Sequence, residues 1–222
     1  MSELEITALV LSEHEAFRRA FADLEHADDI DAAWRSLTDR LEVHAVAEEQ
    51  LLYPELAAAA ADGPAEAQTA VREHNDIRHA VRDVAACEAG TDDWWDAVRR
   101  TQEVNAEHMA EEEREFVPDF RDSVEDQRRE DLGLRWLQFH DDHDRAQGLD
   151  GRDADPATVA ATSKPWRTGA GADGPGNSSS DGDRHLIRTP CPDGPRRLSR
   201  QPYGRHTSPP TQVDPGHPTQ RP

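Results

Sequence analysis

Two short patterns in the chain have the residue types and spacing to hold a cation. One is His44-Ala-Val-Ala-Glu48 and the other is His108-Met-Ala-Glu-Glu112. On an α-helix, positions i and i+4 share one face about 6 Å apart along the axis. Imidazole and carboxylate together suit borderline or hard transition metals. In a chain this acidic a single such pair arises easily by chance on a solvated face. Both pairs, however, fall on apolar seams. The first lies on Trp34, Leu37, Leu41, His44, Glu48, Leu51, and the second on Trp94, Val98, Thr101, Val104, His108, Glu112, Phe116. A carboxylate turned into a core without a partner is costly. Two more histidines sit on seams: His14 between Val10 and Phe17, and His74 between Val71 and Ile77.

Four amphipathic helices must position these groups. Apolar periodicity places them at about 3–27, 31–61, 64–88 and 92–123. The breaks are Asp28-Asp29-Ile30-Asp31, with Asp31 as a cap, then Asp62-Gly63-Pro64, then Gly90 with Thr91 or Asp92 as the next cap. Pro54 and Pro118 should kink the second and fourth helices. A fifth helix is expected at about 125–147, followed by a connector to residue 163. From Pro165 the chain turns rich in Pro, Gly, Ser and Arg, and is expected to be disordered. The expected division is 1–123 for the bundle, 124–163 for the added helix and connector, and 164–222 for the tail.

Short turns make four helices an up-down-up-down bundle. Residues equidistant from a turn then lie at one level. The midpoint of His14 and His44 is residue 29, that of Glu48 and His74 is 61, and that of His74 and His108 is 91. All three coincide with the breaks. His14, His44, Glu48, His74, His108 and Glu112 should therefore meet in one layer of an all-α core. Six N/O ligands exceed one tetrahedral zinc site and suit two octahedral-type metals, iron or manganese first, with zinc as an alternative.

The ordered set His14, His44-x-x-x-Glu48 running into LLYP, Glu73-His74-Asn-Asp-Ile77, and His108-x-x-x-Glu112 running into FVP resembles the hemerythrin-like HHE cation-binding domain of bacterial type. The resemblance spans roughly residues 5–122. It implies a non-haem diiron site with an oxo or hydroxo bridge and with Glu48 and Glu112 as bridging carboxylates. His14 and His44 would serve one iron, His74 and His108 the other. The oxygen carriers of that family place a fifth histidine one turn after the third-helix histidine. Here Arg78 stands at that position. His79 lies about 140° from His74 around the helix, and only a π-bulge would bring it in. An open position for water, O₂, NO or peroxide is thus expected beside Arg78, which, if inward, would hold an anion or orient a bound molecule. Tyr53 is expected to pack near the kink, with its hydroxyl able to reach the site. Glu49, Glu111 and Glu113 read as solvated faces, and His26, His140 and His143 as surface or packing residues.

The formal net charge is −21, and residues 1–163 hold 16 basic against 41 acidic groups. Such a body repels nucleic acid and anionic membranes. The N-terminus lacks a basic and apolar leader, no run approaches a membrane span, and Cys87 and Cys191 lie too far apart to suggest a disulfide framework. A soluble cytoplasmic protein is expected. Three functions fit: a diiron protein that binds or senses O₂ or NO or stores iron; a diiron enzyme acting on peroxide or NO, or donating iron for repair; and a metal-stabilised interaction module.

Overall fold

The computed structural model describes residues 4–161, and they are all-α, with no strand among them. The expected tail at 164–222 lies outside the described residues. Four long helices make the body: α1 (Ile6–Asp23), α2 (Ile30–Leu51), α4 (Gly63–Ala85) and α5 (Asp92–Glu111). Contacts run α1 to α2, α2 to α4, α4 to α5 and α5 back to α1, which closes a four-helix bundle.

Side-chain caps start three of these helices, and α4 begins at Gly63-Pro64 without one. Glu5 accepts from Thr7 N at 3.3 Å, Asp29 from Ala32 N at 2.9 Å, and Thr91 from Trp94 N at 3.3 Å. The cap of α2 is Asp29 rather than Asp31, which falls inside the first turn. Only glycine fits at Gly63, where a Cβ would lie 2.1 Å from the Leu56 carbonyl oxygen.

Both prolines break their helices, in different ways. After Leu51 the chain passes through Leu52 and restarts as α3 (Tyr53–Ala59), with Pro54 in its first turn. After α5 it widens into a π-helical turn, Glu112–Phe116, before α6 (Val117–Ser123). The physical cause is shared: proline has no N–H to donate and its ring clashes with the carbonyl four residues back.

The fifth helix, α7 (Asp126–Asp142), packs on α1 and α2. Gly133 allows it, since a Cβ there would lie 1.8 Å from the Leu4 carbonyl oxygen. The helix ends five residues before the sequence expectation of Gln147. Arg145 and Ala146 adopt positive φ of 54° and 56° within a 3₁₀ turn, which an α-helix cannot contain. The connector then lies across α4: Asn75 Nδ2 donates to Ala154 O at 2.9 Å, and a short helix, α8 (Pro156–Ala161), follows. Cys87 is disulfide-bonded, against the expectation of unpaired thiols; Cys191 lies outside the described residues. No helix among the described residues is long and apolar enough to cross a membrane.

Two apolar clusters fill the bundle. One contains Ile6, Val10, Leu51, Tyr53, Val71, Phe116 and Trp136, and the other Phe17, Phe21, Trp34, Leu41, Val84, Trp94 and Val98. On each long helix a histidine falls between the residues that feed the two clusters. The polar layer is thus held between two apolar ones.

Candidate metal centre

His14, His44, Glu48, His74, His108 and Glu112 are all buried and come together in that layer. Glu48 stands between two helices' imidazoles, with Oε1 3.3 Å from His44 Nε2 and Oε2 3.2 Å from His74 Nε2. Glu112 Oε2 lies 3.3 Å from His14 Nε2 and 3.4 Å from His108 Nε2. His74 Nε2 and His108 Nε2 are 3.1 Å apart. Ligand atoms of His14, His44, Glu48 and Glu112 all fall within 4.8 Å of one another, as do those of Glu48, His74 and His108. Glu48 belongs to both groups, and Glu112 belongs to the first and reaches His108 of the second, so both carboxylates are placed as bridging ligands would be.

The donor set fits a cation. His14 Nε2, His44 Nε2, Glu48 Oε1 and Glu112 Oε2 are buried atoms with no hydrogen-bond partner. Leaving a buried polar atom unsatisfied costs about 1–3 kcal/mol each. Four in one layer make a strained arrangement in water's absence and a good one around a positive ion.

The opposite ring nitrogens are all partnered. His44 Nδ1 meets Glu13 at 2.8 Å, His74 Nδ1 meets Glu49 at 3.0 Å, His108 Nδ1 meets Glu73 at 2.9 Å, and His14 Nδ1 meets Glu113 at 3.0 Å. Each of these carboxylates bonds the histidine of the next helix, so the four pairs form a closed circuit around the bundle. A carboxylate on Nδ1 holds the proton there and turns the Nε2 lone pair inward, as metal-binding histidines require. Sequence reasoning missed this circuit and placed Glu49 and Glu113 on solvated faces. A signal was present: each long helix carries a glutamate beside its inward ligand, as Glu13-His14, Glu48-Glu49, Glu73-His74 and Glu112-Glu113. Glu111 is half-buried and shares a side-chain hydrogen bond with Glu73. His140, from α7, reaches Glu13 at 3.2 Å, so it supports the circuit rather than only packing.

Three further candidates separate clearly. Tyr53 is fully buried, and its hydroxyl donates to Glu112 Oε1 at 2.9 Å and lies 3.1 Å from His74 Nε2. Arg78 does turn inward and is 6% exposed, but it is not free to hold an anion. Its Nε donates to Glu42 at 2.9 Å, its Nη1 to Glu49 at 2.9 Å and to Asn75 at 3.1 Å, and its Nη2 to Glu49 at 3.3 Å. His79 is exposed and pairs with Asp153 at 2.8 Å; α4 runs through this stretch as a regular α-helix, so nothing turns His79 inward.

Electrostatics favour positive charge in this layer. Burial pushes His44 down, but the carboxylates of Glu48 and Glu13 outweigh it and hold the imidazole well above its ordinary value. His74 is likewise opposed by burial and raised to about 9 by Glu48 and Glu49. Glu48 resists burial through His44 and His74, and lies well below the usual carboxylate range. Burial, with Glu112 and Glu48 beside it, drives Tyr53 well above its ordinary value and keeps it a phenol. A cleft of about 220 Å³ lined by Glu66, Glu73, Glu111 and Glu115 reaches Glu112 from outside, giving cations an acidic approach.

Comparison with known proteins agrees with this geometry. The family model described as the hemerythrin HHE cation binding domain matches residues 5–120. No curated protein and no solved structure matched the chain.

Proposed function

The chain belongs to the hemerythrin HHE cation-binding domain family, and from that premise we propose that it is a two-iron protein that binds or senses O₂ or NO. His14 and His44 would hold one ion and His74 and His108 the other, with the carboxylates of Glu48 and Glu112 available to both. When bound, iron would supply a redox-active centre able to take a diatomic ligand. The observation that carries the reading is the set of four inward atoms without partners, on His14, His44, Glu48 and Glu112, opposite fully partnered outer nitrogens. Imidazole with carboxylate favours iron or manganese over zinc. Metal analysis of protein purified from its own host, followed by spectra of the Fe(II) form before and after O₂ and NO, tests it. Two irons per chain with new charge-transfer bands are expected. A colourless, metal-free bundle would sink the proposal, and bound zinc would remove the redox part of it.

One observation favours an enzymatic variant, reduction of peroxide or NO at the same centre. The Tyr53 hydroxyl sits among the ligand atoms and is kept protonated by its surroundings. By turning its single O–H from Glu112 Oε1 toward an incoming oxygen atom, it would orient that atom. It can also pass on a proton held at Oη. Turnover with peroxide or NO that falls in Tyr53→Phe while metal content holds would favour the enzyme over the sensor.

A further inference from the structure

A cavity of about 380 Å³ opens between α2, α4 and α5 and ends on the rings of His44, His74 and His108. A single water needs only about 10–15 Å³ of such space. The cavity is therefore far larger than a diatomic ligand requires, and it falls in the range of organic-ligand pockets, about 300–1,000 Å³. Its walls are largely apolar: Leu41, Ala45, Ile77, Val81 and Leu149.

The charged groups along it select against an anion. Two arginines line it and both are engaged: Arg78 by Glu42, Glu49 and Asn75, and Arg82 by Asp153 and the Gly151 carbonyl. Asp39, Glu42 and Asp150 also line the space, and the whole chain carries −21. One polar side chain remains poorly used. Asn105 is 3% exposed, and among the described residues its amide makes a single contact, Nδ2 to Met109 Sδ at 3.6 Å. A thioether is a weak acceptor. The carboxamide thus keeps a donor and an acceptor for whatever enters. Asn105 lies one helical turn before His108, at the inner part of the cavity.

We propose that this cavity is a binding site for a small, neutral, mostly apolar organic molecule with one hydroxyl or carbonyl end, seated with that end against Asn105. The site stands on its shape and lining and does not require a bound metal.

The probe is 2-phenyl-2-propanol, titrated calorimetrically into the full chain, both metal-free and metal-loaded. Saturable one-to-one binding is expected in both forms. Isopropylbenzene, which lacks the hydroxyl, should bind about tenfold more weakly, the worth of one net hydrogen bond. Asn105→Leu should erase that difference by weakening the alcohol alone, with metal content unchanged. Val81→Trp, which fills the space, should abolish both. Absence of saturable binding would overturn the proposal, as would benzoate binding as tightly as the alcohol, or an alcohol preference that survives Asn105→Leu. Should Val81→Trp fail to fold, the Asn105→Leu comparison still decides. A metal-free native protein that nevertheless binds the alcohol would refute the two-iron reading and leave this one intact.

Discussion

The two halves of the polar layer are built from the same ligand types and differ in what stands behind them. The half holding His14 and His44 is backed by rings. Phe17 and Trp136 meet His44 edge-on at 5.1 and 5.4 Å, and His140 braces Glu13 from α7. The half holding His74 and His108 is backed by polar groups. Tyr53 lies on His74, Arg78 braces Glu49, and Asn105 and the cavity open beside His108. The cavity touches His44 at the edge of the first half and His74 and His108 in the second, while His14 is sealed away from it, so access is concentrated on the second half. The position where the oxygen carriers place a fifth imidazole belongs to this second half. Here its occupant, Arg78, neutralises outer carboxylates instead of reaching the ligand atoms.

Four measurements would break or sharpen that contrast. Glu48→Ala should have the largest effect, because its two oxygens serve both halves. Bound metal should fall from two ions to essentially none, read by elemental analysis; retention of one full ion would show that the halves are independent. Arg78→Met and Trp136→Ala come next and act on opposite halves. Removing Arg78 leaves half-buried Glu42 without a counter-charge and Glu49 with His74 alone, a loss of about 3 kcal/mol. Truncating Trp136, 1% exposed, should cost about as much through the cavity it leaves. Denaturant unfolding measures both. Spectra of the metal-loaded variants should then show Arg78→Met perturbing small-molecule binding and Trp136→Ala sparing it.

A smaller effect concerns pH. His74 is raised in the folded chain to about 9. The stability this contributes to metal-free protein is fully present below the unfolded value near 6.5 and is lost as pH rises through about 9. Melting temperatures in chelator should decline across that window. Metal-loaded protein should not show the decline, because the ion replaces the proton. The smallest effect is expected for Tyr53→Phe, about 1–3 kcal/mol in metal-free protein, because Glu112 Oε1 loses its donor. Its metal content should be unchanged, and only its reactivity toward peroxide or NO should fall.

Much of this protein is legible in its sequence. His14, His44, Glu48, His74, His108 and Glu112 stand on apolar seams, and the breaks near residues 29, 61 and 91 set them at one level. Seam and turn are local properties, so a linear reading captures them. The kinks at Pro54 and Pro118 follow from the missing N–H in the same way. The sequence did not reveal which glutamates leave the solvent. Glu13, Glu49, Glu73 and Glu113 lie beside the seam, about 100° from an inward neighbour. Such a flank faces water or reaches the next helix depending on how closely the helices pack and how each is rotated. Those are properties of pairs far apart in the chain, such as His14 with Glu113. The same holds for α7, whose close approach at Gly133 carries Trp136 onto His44. The sequence by itself determined the ligands and their common level, because helical periodicity is local. Only the tertiary structure decided that the outer glutamates close a circuit, that Arg78 turns inward to other carboxylates, and that His44, His74 and His108 border a cavity, because those outcomes depend on long-range packing.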